Sequence, residues 1–261
     1  MLSITILTDN TAGELFLSEH GLSYLVDIDN EKILFDTGYS DMFLKNAEQL
    51  KIDIENEVKT IVLSHGHKDH GNGLKQLSNK TLITHPASFA KRFRKIDHSF
   101  VGLEITREEI ENQFKLKASH TSLQLSENLY FLGEIPRTNG FESQSTNFEF
   151  EDGSEDYIPD DSALAAIVNN KLVVITGCSH SGICNICEHA RTVTGISIIK
   201  AVIGGFHLKA QNEQTLKTIE YFRQNKIEKL LPSHCTAPPA LDLFNSTFNT
   251  EQVKTGMIFR F

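Results

Sequence analysis

The chain has 261 residues, 39% of them hydrophobic, with 25 basic against 34 acidic side chains and a net charge of −9. That length allows one large domain or two small ones with a substantial core, and the acidic balance disfavours a non-specific nucleic-acid binder, which needs a basic face. No stretch reaches the ~18 apolar residues of a membrane span, and the opening Met1-Leu2-Ser3-Ile4-Thr5-Ile6 lacks the pattern of a secretory signal. A cytoplasmic setting is therefore expected, with the cysteines at 178, 184, 187 and 235 as thiols.

In chain order, residues 2–7 read as a first strand. Leu22–Ile28 and Lys32–Phe35 form a hairpin about Asp29-Asn30-Glu31, closed by Asp36. Apolar residues at 39, 43, 44, 47 and 50 predict a helix over 39–50. The short β-branched run before Ser64 predicts a buried strand over 58–63. A short helix over 73–77, a strand over 81–84 and His85 at a turn follow. Residues 87–118 hold few strong patterns. Their cations, Lys91, Arg92, Arg94 and Lys95 among them, suit a solvated face or an anionic substrate.

The second half alternates more regularly. Leu129–Leu132 is a strand leading to Gly133-Glu134-Ile135-Pro136-Arg137, where Arg137 offers a fork for phosphate or carboxylate or is a plain surface residue. Residues 138–157 form an acidic loop or flap. Strands over 162–168 and 172–176 turn at Asn169-Asn170. A helix over 182–193 carries Cys184 and Cys187, which lack further ligands for a structural zinc and read as core filler. A strand over 198–203 ends at Gly204-Gly205-Phe206-His207. A helix over 213–224, a strand over 229–231 ending near His234, a helix from Ala240 and a last strand over 257–260 complete the chain.

The chemistry concentrates in Ser64-His65-Gly66-His67-Lys68-Asp69-His70, on a loop at a strand end. His65 and His67 alternate, so an extended backbone throws both rings to one side. Asp69 and His70 follow at a turn and face a second point. Two such half-sites suit a pair of metal ions about 3.5–4 Å apart that share a water.

This stretch resembles the signature of the metallo-β-lactamase superfamily. The likeness continues in Lys32-Ile33-Leu34-Phe35-Asp36-Thr37-Gly38, in Ile175-Thr176-Gly177-Cys178 and in Leu231-Pro232-Ser233-His234. Gly133–Arg137, Gly177–Gly182, Ile203–Leu208 and Ser233–Thr236 further resemble a branch named after a ribofuranosylaminobenzene 5′-phosphate synthase. The resemblance implies an α/β fold, an αββα sandwich of two mixed sheets flanked by helices. It implies a single domain over 1–261 with a cap-like insertion about 87–157.

The resemblance also implies a metal site. Its expected ligands are His65, His67, Asp69, His70, Asp161, Cys178, His180 and His234, with Asp36 bracing the loop from behind. Cys178 stands where the family has an aspartate. No histidine lies between 120 and 180, where the family places one before a strand. Asp160 or Asp161 is the candidate replacement, Asp161 preferred, and His180 is the alternative. The expected cofactor is two divalent ions, zinc foremost and manganese or iron as alternatives. The expected activity is hydrolysis of a small anionic phosphoester, a phosphodiester or cyclic nucleotide, with Asp69 and His207 catalytic and Arg137 and His207 contacting substrate. A synthase-like transferase and a non-catalytic binding protein are the alternatives.

Overall fold

Alternation along the central strands decides the layering. In the computed structural model, which describes residues 1–261, Ile33 and Phe35 point to one side of their strand and Leu34 to the other. The first half runs β1 (Ser3–Thr8), β2 (Ser23–Ile28), β3 (Glu31–Phe35), α1 (Met42–Gln49), α2 (Ile54–Glu57), β4 (Thr60–Val62), α3 (Lys68–Gly71), β5 (Thr81–Thr84), β6 (Arg92–Arg94), α4 (Arg107–Gln113) and β7 (Lys115–Ala118). The second half runs β8 (Leu123–Ser126), β9 (Leu129–Phe131), β10 (Phe148–Phe150), β11 (Ala163–Val168), β12 (Lys171–Thr176), α5 (Ile183–Thr194), β13 (Ile199–Gly205), α6 (Glu213–Gln224), β14 (Lys229–Ser233), α7 (Pro238–Phe248) and β15 (Ile258–Arg260).

Seven strands form one sheet in the order β15-β1-β2-β3-β4-β5-β7, and six form the other in the order β14-β13-β12-β11-β9-β8. Ile4, Phe35 and Val62 of the first sheet meet Leu164, Ile175 and Ile203 of the second in the layer between them. Leu34 and Ile61 face outward onto Phe43 and Ala47 of α1. Val174 and Val202 face outward onto Ile186 of α5, Phe222 of α6 and Phe244 of α7. The result is helix, sheet, sheet, helix: the αββα sandwich that the sequence implies.

Each half contains a hairpin followed by parallel strands. β2 and β3 are antiparallel, then β3, β4, β5 and β7 run parallel. β11 and β12 are antiparallel, then β12, β13 and β14 run parallel. Parallel strands end at the same rim, so both halves deliver their loops to one edge.

Boundaries shift for identifiable reasons. Helix α1 begins at Met42 rather than 39, because Glu19 Oε1 accepts hydrogen bonds from Tyr39 N at 2.9 Å and Ser40 N at 3.2 Å and holds that segment as a turn. Helix α7 begins at Pro238, since proline in the first turn loses no hydrogen bond that the helix would make. Within 87–157, β7 joins the first sheet and β8 and β9 join the second, while β6 and β10 pair as a two-stranded ribbon.

Candidate metal centre

Four strand ends converge at the rim. β3 is followed by Asp36, β4 by the 64–70 loop, β12 by Cys178 and β14 by His234. The backbone turns sharply there: Asp36, Ser179, His207 and His234 all adopt left-handed conformations, with φ of 57°, 60°, 50° and 48°. Such strain in non-glycine residues persists where surrounding bonds over-determine it, and it clusters at functional sites. At Gly66 a Cβ would overlap Ser88 O, and at Gly177 it would overlap Ser64 Oγ, so only glycine lets these loops pack so closely.

Asp36 organises the loop from beneath. Its carboxylate accepts from Ser64 N at 2.7 Å, from Ser64 Oγ at 2.7 Å and from His70 Nδ1 at 2.7 Å. Ser64 Oγ, having donated to Asp36, can accept from His65 Nδ1 at 2.9 Å. Asn10 Oδ1 accepts from His234 Nδ1 at 2.9 Å. Each of these contacts places the imidazole proton on Nδ1 and leaves the Nε2 lone pair directed into the site.

Those lone pairs crowd together. His70 Nε2 lies 3.1 Å from His234 Nε2 and 3.2 Å from Cys178 Sγ, and His65 Nε2 lies 3.0 Å from His67 Nδ1. The Nε2 atoms of His67 and His180 are buried with no hydrogen-bond partner. Donor atoms of His65, Cys178 and His180 all lie within 4.8 Å of one another, and so do those of His70, Cys178 and His234. His20, Asp69 and His234 make a third such group. The facing Nε2 atoms of His70 and His234 need a cation between them: a proton on His70, which Asp36 makes easy to hold, or a metal ion that displaces it. Two ligands bound to one tetrahedral ion are on the order of 3.3 Å apart. The donors present therefore fit metal ions.

Burial supports the same chemistry. Burial pushes His67 and His207 down to about 3 and His234 down to about 4, and holds His65 and His180 well below the ordinary imidazole range. Neutral imidazole is the ligand form. His70 is the exception: burial would lower it, but the charge and hydrogen bond of Asp36 raise it to about 9. Burial would raise Asp69, yet the hydrogen bond from His20 and the nearby charge of His70 hold it well below the usual carboxylate range. Burial first, then neighbouring Cys235, pushes the Cys178 thiol up, so a thiolate there requires a cation.

A profile described as the metallo-beta-lactamase superfamily matches residues 19–234. The chain belongs to the metallo-beta-lactamase superfamily. The chain is 35% identical to an uncharacterised protein of Methanocaldococcus jannaschii, over 98% of each chain. It is 30% identical to the 7,8-dihydropterin-6-methyl-4-(beta-D-ribofuranosyl)-aminobenzene-5′-phosphate synthase of the same organism, over 100% of this chain and 97% of the relative. Among solved structures it resembles Tm1679, described as a metal-dependent hydrolase of the beta-lactamase superfamily, with TM-score 0.88, 32% identity and coverage of 100% and 99%.

For this superfamily member, two expected site residues lie elsewhere. Asp161 is not among the gathered donors: its Oδ2 accepts from Ser181 N at 2.8 Å and Ser181 Oγ at 2.7 Å, fixing the loop that carries His180. His180 itself stands beside His65 and Cys178, its ring 4.9 Å from that of His65. Asp160 instead accepts from Gly66 N at 2.7 Å and pairs with Arg92 at 2.9 Å. Arg137 does not reach the rim cavity. Its Nε donates to Ser143 Oγ at 2.9 Å and its Nη2 to the carbonyls of Tyr157 and Ile158, which tie the guanidinium to the flap.

His20 has no motif around it and escapes sequence reasoning. Its ring stacks on His234 with centroids 5.1 Å apart, and its Nε2 lies 3.2 Å from Asp69 Oδ2. Phe148 of β10 covers His67 at 4.7 Å between centroids. The cavity above the cluster measures about 300 Å³ and is bordered by His20, Asp69, Phe148, His180, His207 and Lys209 among others. A separate gathering of His85, His120 and Glu134 lies outside this cavity. There His85 Nδ1 accepts from Ala87 N at 3.1 Å, which places the ring proton on Nε2, the atom turned toward Glu134.

Proposed function

We propose that the protein is a metal-dependent hydrolase that uses two divalent ions, zinc foremost with manganese or iron as alternatives, on a small anionic phosphoester. A phosphodiester or cyclic nucleotide is the preferred substrate. The observation that carries this reading is the position of Cys178, whose Sγ belongs to two of the gathered donor groups at once. A thiolate shared by two imidazole sets is the counterpart of a bridging ligand, and its softness favours zinc.

His65, His67 and His180 would hold one ion, His70, Asp69 and His234 the other, with Cys178 between them. Bound there, such ions supply Lewis-acid polarisation of the ester and a water that loses its proton near neutral pH. The residues of the chain do the rest. Asp36 keeps His70 in one tautomer. Asp69 is held ionised, and its side chain, 18% exposed, borders the cavity, where it can accept a hydrogen bond from the attacking water and orient it. His207 is neutral, its ring 4.3 Å from that of His180, and it has one N–H to offer the leaving oxygen. The P–O bond to that oxygen breaks and the departing alcohol takes up a proton.

A second reading is a synthase, favoured by full-length similarity to the M. jannaschii enzyme. Purified protein loaded with zinc or manganese should cleave members of a phosphodiester panel that includes cyclic nucleotides. Turnover confined to lactones or thioesters, or pyrophosphate release from a ribosyl pyrophosphate with an aminobenzoate, would replace this reading.

A further inference from the structure

Beyond Phe148 the site opens into a second cavity of about 520 Å³. Seven residues line it: Arg94, Lys95, Ile96, Asn147, Phe148, His207 and Lys209. Three are cations and none is an acid, on a chain whose net charge is −9. Arg94, Phe148, His207 and Lys209 border both this cavity and the one above the metal ligands, so the two are continuous.

The charges are not all spent internally. Lys95 pairs with Glu155 at 2.6 Å, and its neighbour Lys91 pairs with Glu151 at 3.0 Å. Arg94, between them, has no such partner. It is the cross-strand neighbour of Phe148 in the β6–β10 ribbon, which sets the guanidinium and the ring side by side. Lys209 reaches the boundary from the loop after β13, its Nζ donating to Cys235 O at 2.9 Å. A guanidinium fork, an ammonium and an aromatic face at the mouth of one cavity match a phosphate joined to a planar or apolar group.

We infer that the substrate carries a second anionic group, a phosphate that is not cleaved, which docks between Arg94 and Lys209 while Phe148 contacts the part of the molecule between it and the scissile ester. This inference rests on the hydrolytic reading for its scissile ester, but the docking itself does not depend on turnover.

Two measurements test it. The first compares thymidine 5′-(para-nitrophenyl phosphate) with its 3′-phosphorylated counterpart, which differs only in the distal phosphate. Wild-type protein should favour the phosphorylated ester in kcat/KM, chiefly through KM. Arg94→Ala should reduce that preference at least tenfold, and Arg94→Lys should retain part of it. The second titrates the protein as isolated with phenyl phosphate by calorimetry, with benzoate in parallel. Phenyl phosphate should bind more tightly than benzoate, and Arg94→Ala should weaken it at least tenfold. Lys209→Met, on another element, repeats both measurements if an Arg94 variant fails to fold. No preference in the wild type, or equal phenyl phosphate affinity in wild type and Arg94→Ala, overturns the inference. Arg94-dependent binding without cleavage of either ester supports it and overturns only the hydrolytic reading.

Discussion

His70 Nδ1 lies 2.7 Å from Asp36 Oδ2, and both side chains are fully buried. The same carboxylate holds Ser64 through two further hydrogen bonds. One acid thus sets the tautomer of His70 directly and that of His65 through the Ser64 hydroxyl.

Asp36→Asn is therefore expected to weaken metal binding roughly 10- to 100-fold, the usual cost of losing a partner behind a ligating histidine. The new amide would also present N–H groups to donors that now have an acceptor. Competition with a chromophoric chelator gives the affinity, and an unchanged value would mean that His70 is not a ligand.

Cys178→Ser should shift the site away from soft ions. In the cobalt-substituted protein a thiolate-to-metal charge-transfer band should appear for wild type and vanish for Cys178→Ser. Persistence of the band would move the thiolate role to Cys235, the other cysteine bordering the cavity.

Arg92 is fully buried between Asp156 at 3.2 Å and Asp160 at 2.9 Å, and Asp160 also holds Gly66 N. Removing one member of a buried ion pair costs roughly 3–5 kcal/mol because the other charge is left stranded. Asp160→Asn leaves Arg92 paired with Asp156 and should lose less than that in urea denaturation, and adding Arg92→Met should cost less than the sum of the two single changes. Strict additivity would show that the pair is not coupled.

The acid sensitivity of the metal-stripped protein follows from the cluster. His67, His207 and His234 resist protonation down to about 3 or 4, whereas the unfolded chain takes up these protons near 6.5. Below 6.5 the unfolded state binds more protons, so stability falls as pH falls toward 4. Each such histidine contributes roughly 1 kcal/mol of that loss one unit below its unfolded pKa. His70, raised to about 9, acts oppositely: its contribution is complete below 6.5 and is lost only as pH rises through 9. The urea midpoint of stripped protein should therefore drop between pH 7.5 and 5, and a flat or rising profile would contradict the burial argument.

Much of the fold is legible because the strands announce themselves. β3, β4, β12 and β14 are short, apolar and closed by turn residues, and the motifs sit at their ends. Helix α6 occupies residues 213–224 as periodicity predicts, with the Asn212 side chain accepting from Thr215 N. The stretch 87–118 is harder. β7 reads Lys-Leu-Lys-Ala at a sheet edge, where exposed charges mask the strand pattern. The box Thr106 to Glu109 does mark the start of α4.

The candidate site was legible where its residues follow strands and illegible where partners are remote. Arg94 and Phe148 are cross-strand neighbours although 54 positions separate them, and no local signal predicts that pairing. The choice between Asp161 and His180 turns on which side chain a loop presents inward: Ser181 binds Asp161 Oδ2, while His180 stands beside His65 and Cys178. Arg137 has the chemistry of an anion fork, but two backbone carbonyls and a serine hydroxyl claim it first.

Native mass spectrometry of the chain after incubation with zinc, alongside Cys178→Ala and His234→Ala, addresses the central claim most directly. Two ions on the wild-type chain, with at least one lost in each variant, is the predicted result. A wild-type chain that takes up no ion from zinc or manganese, or variants that keep both, would contradict it.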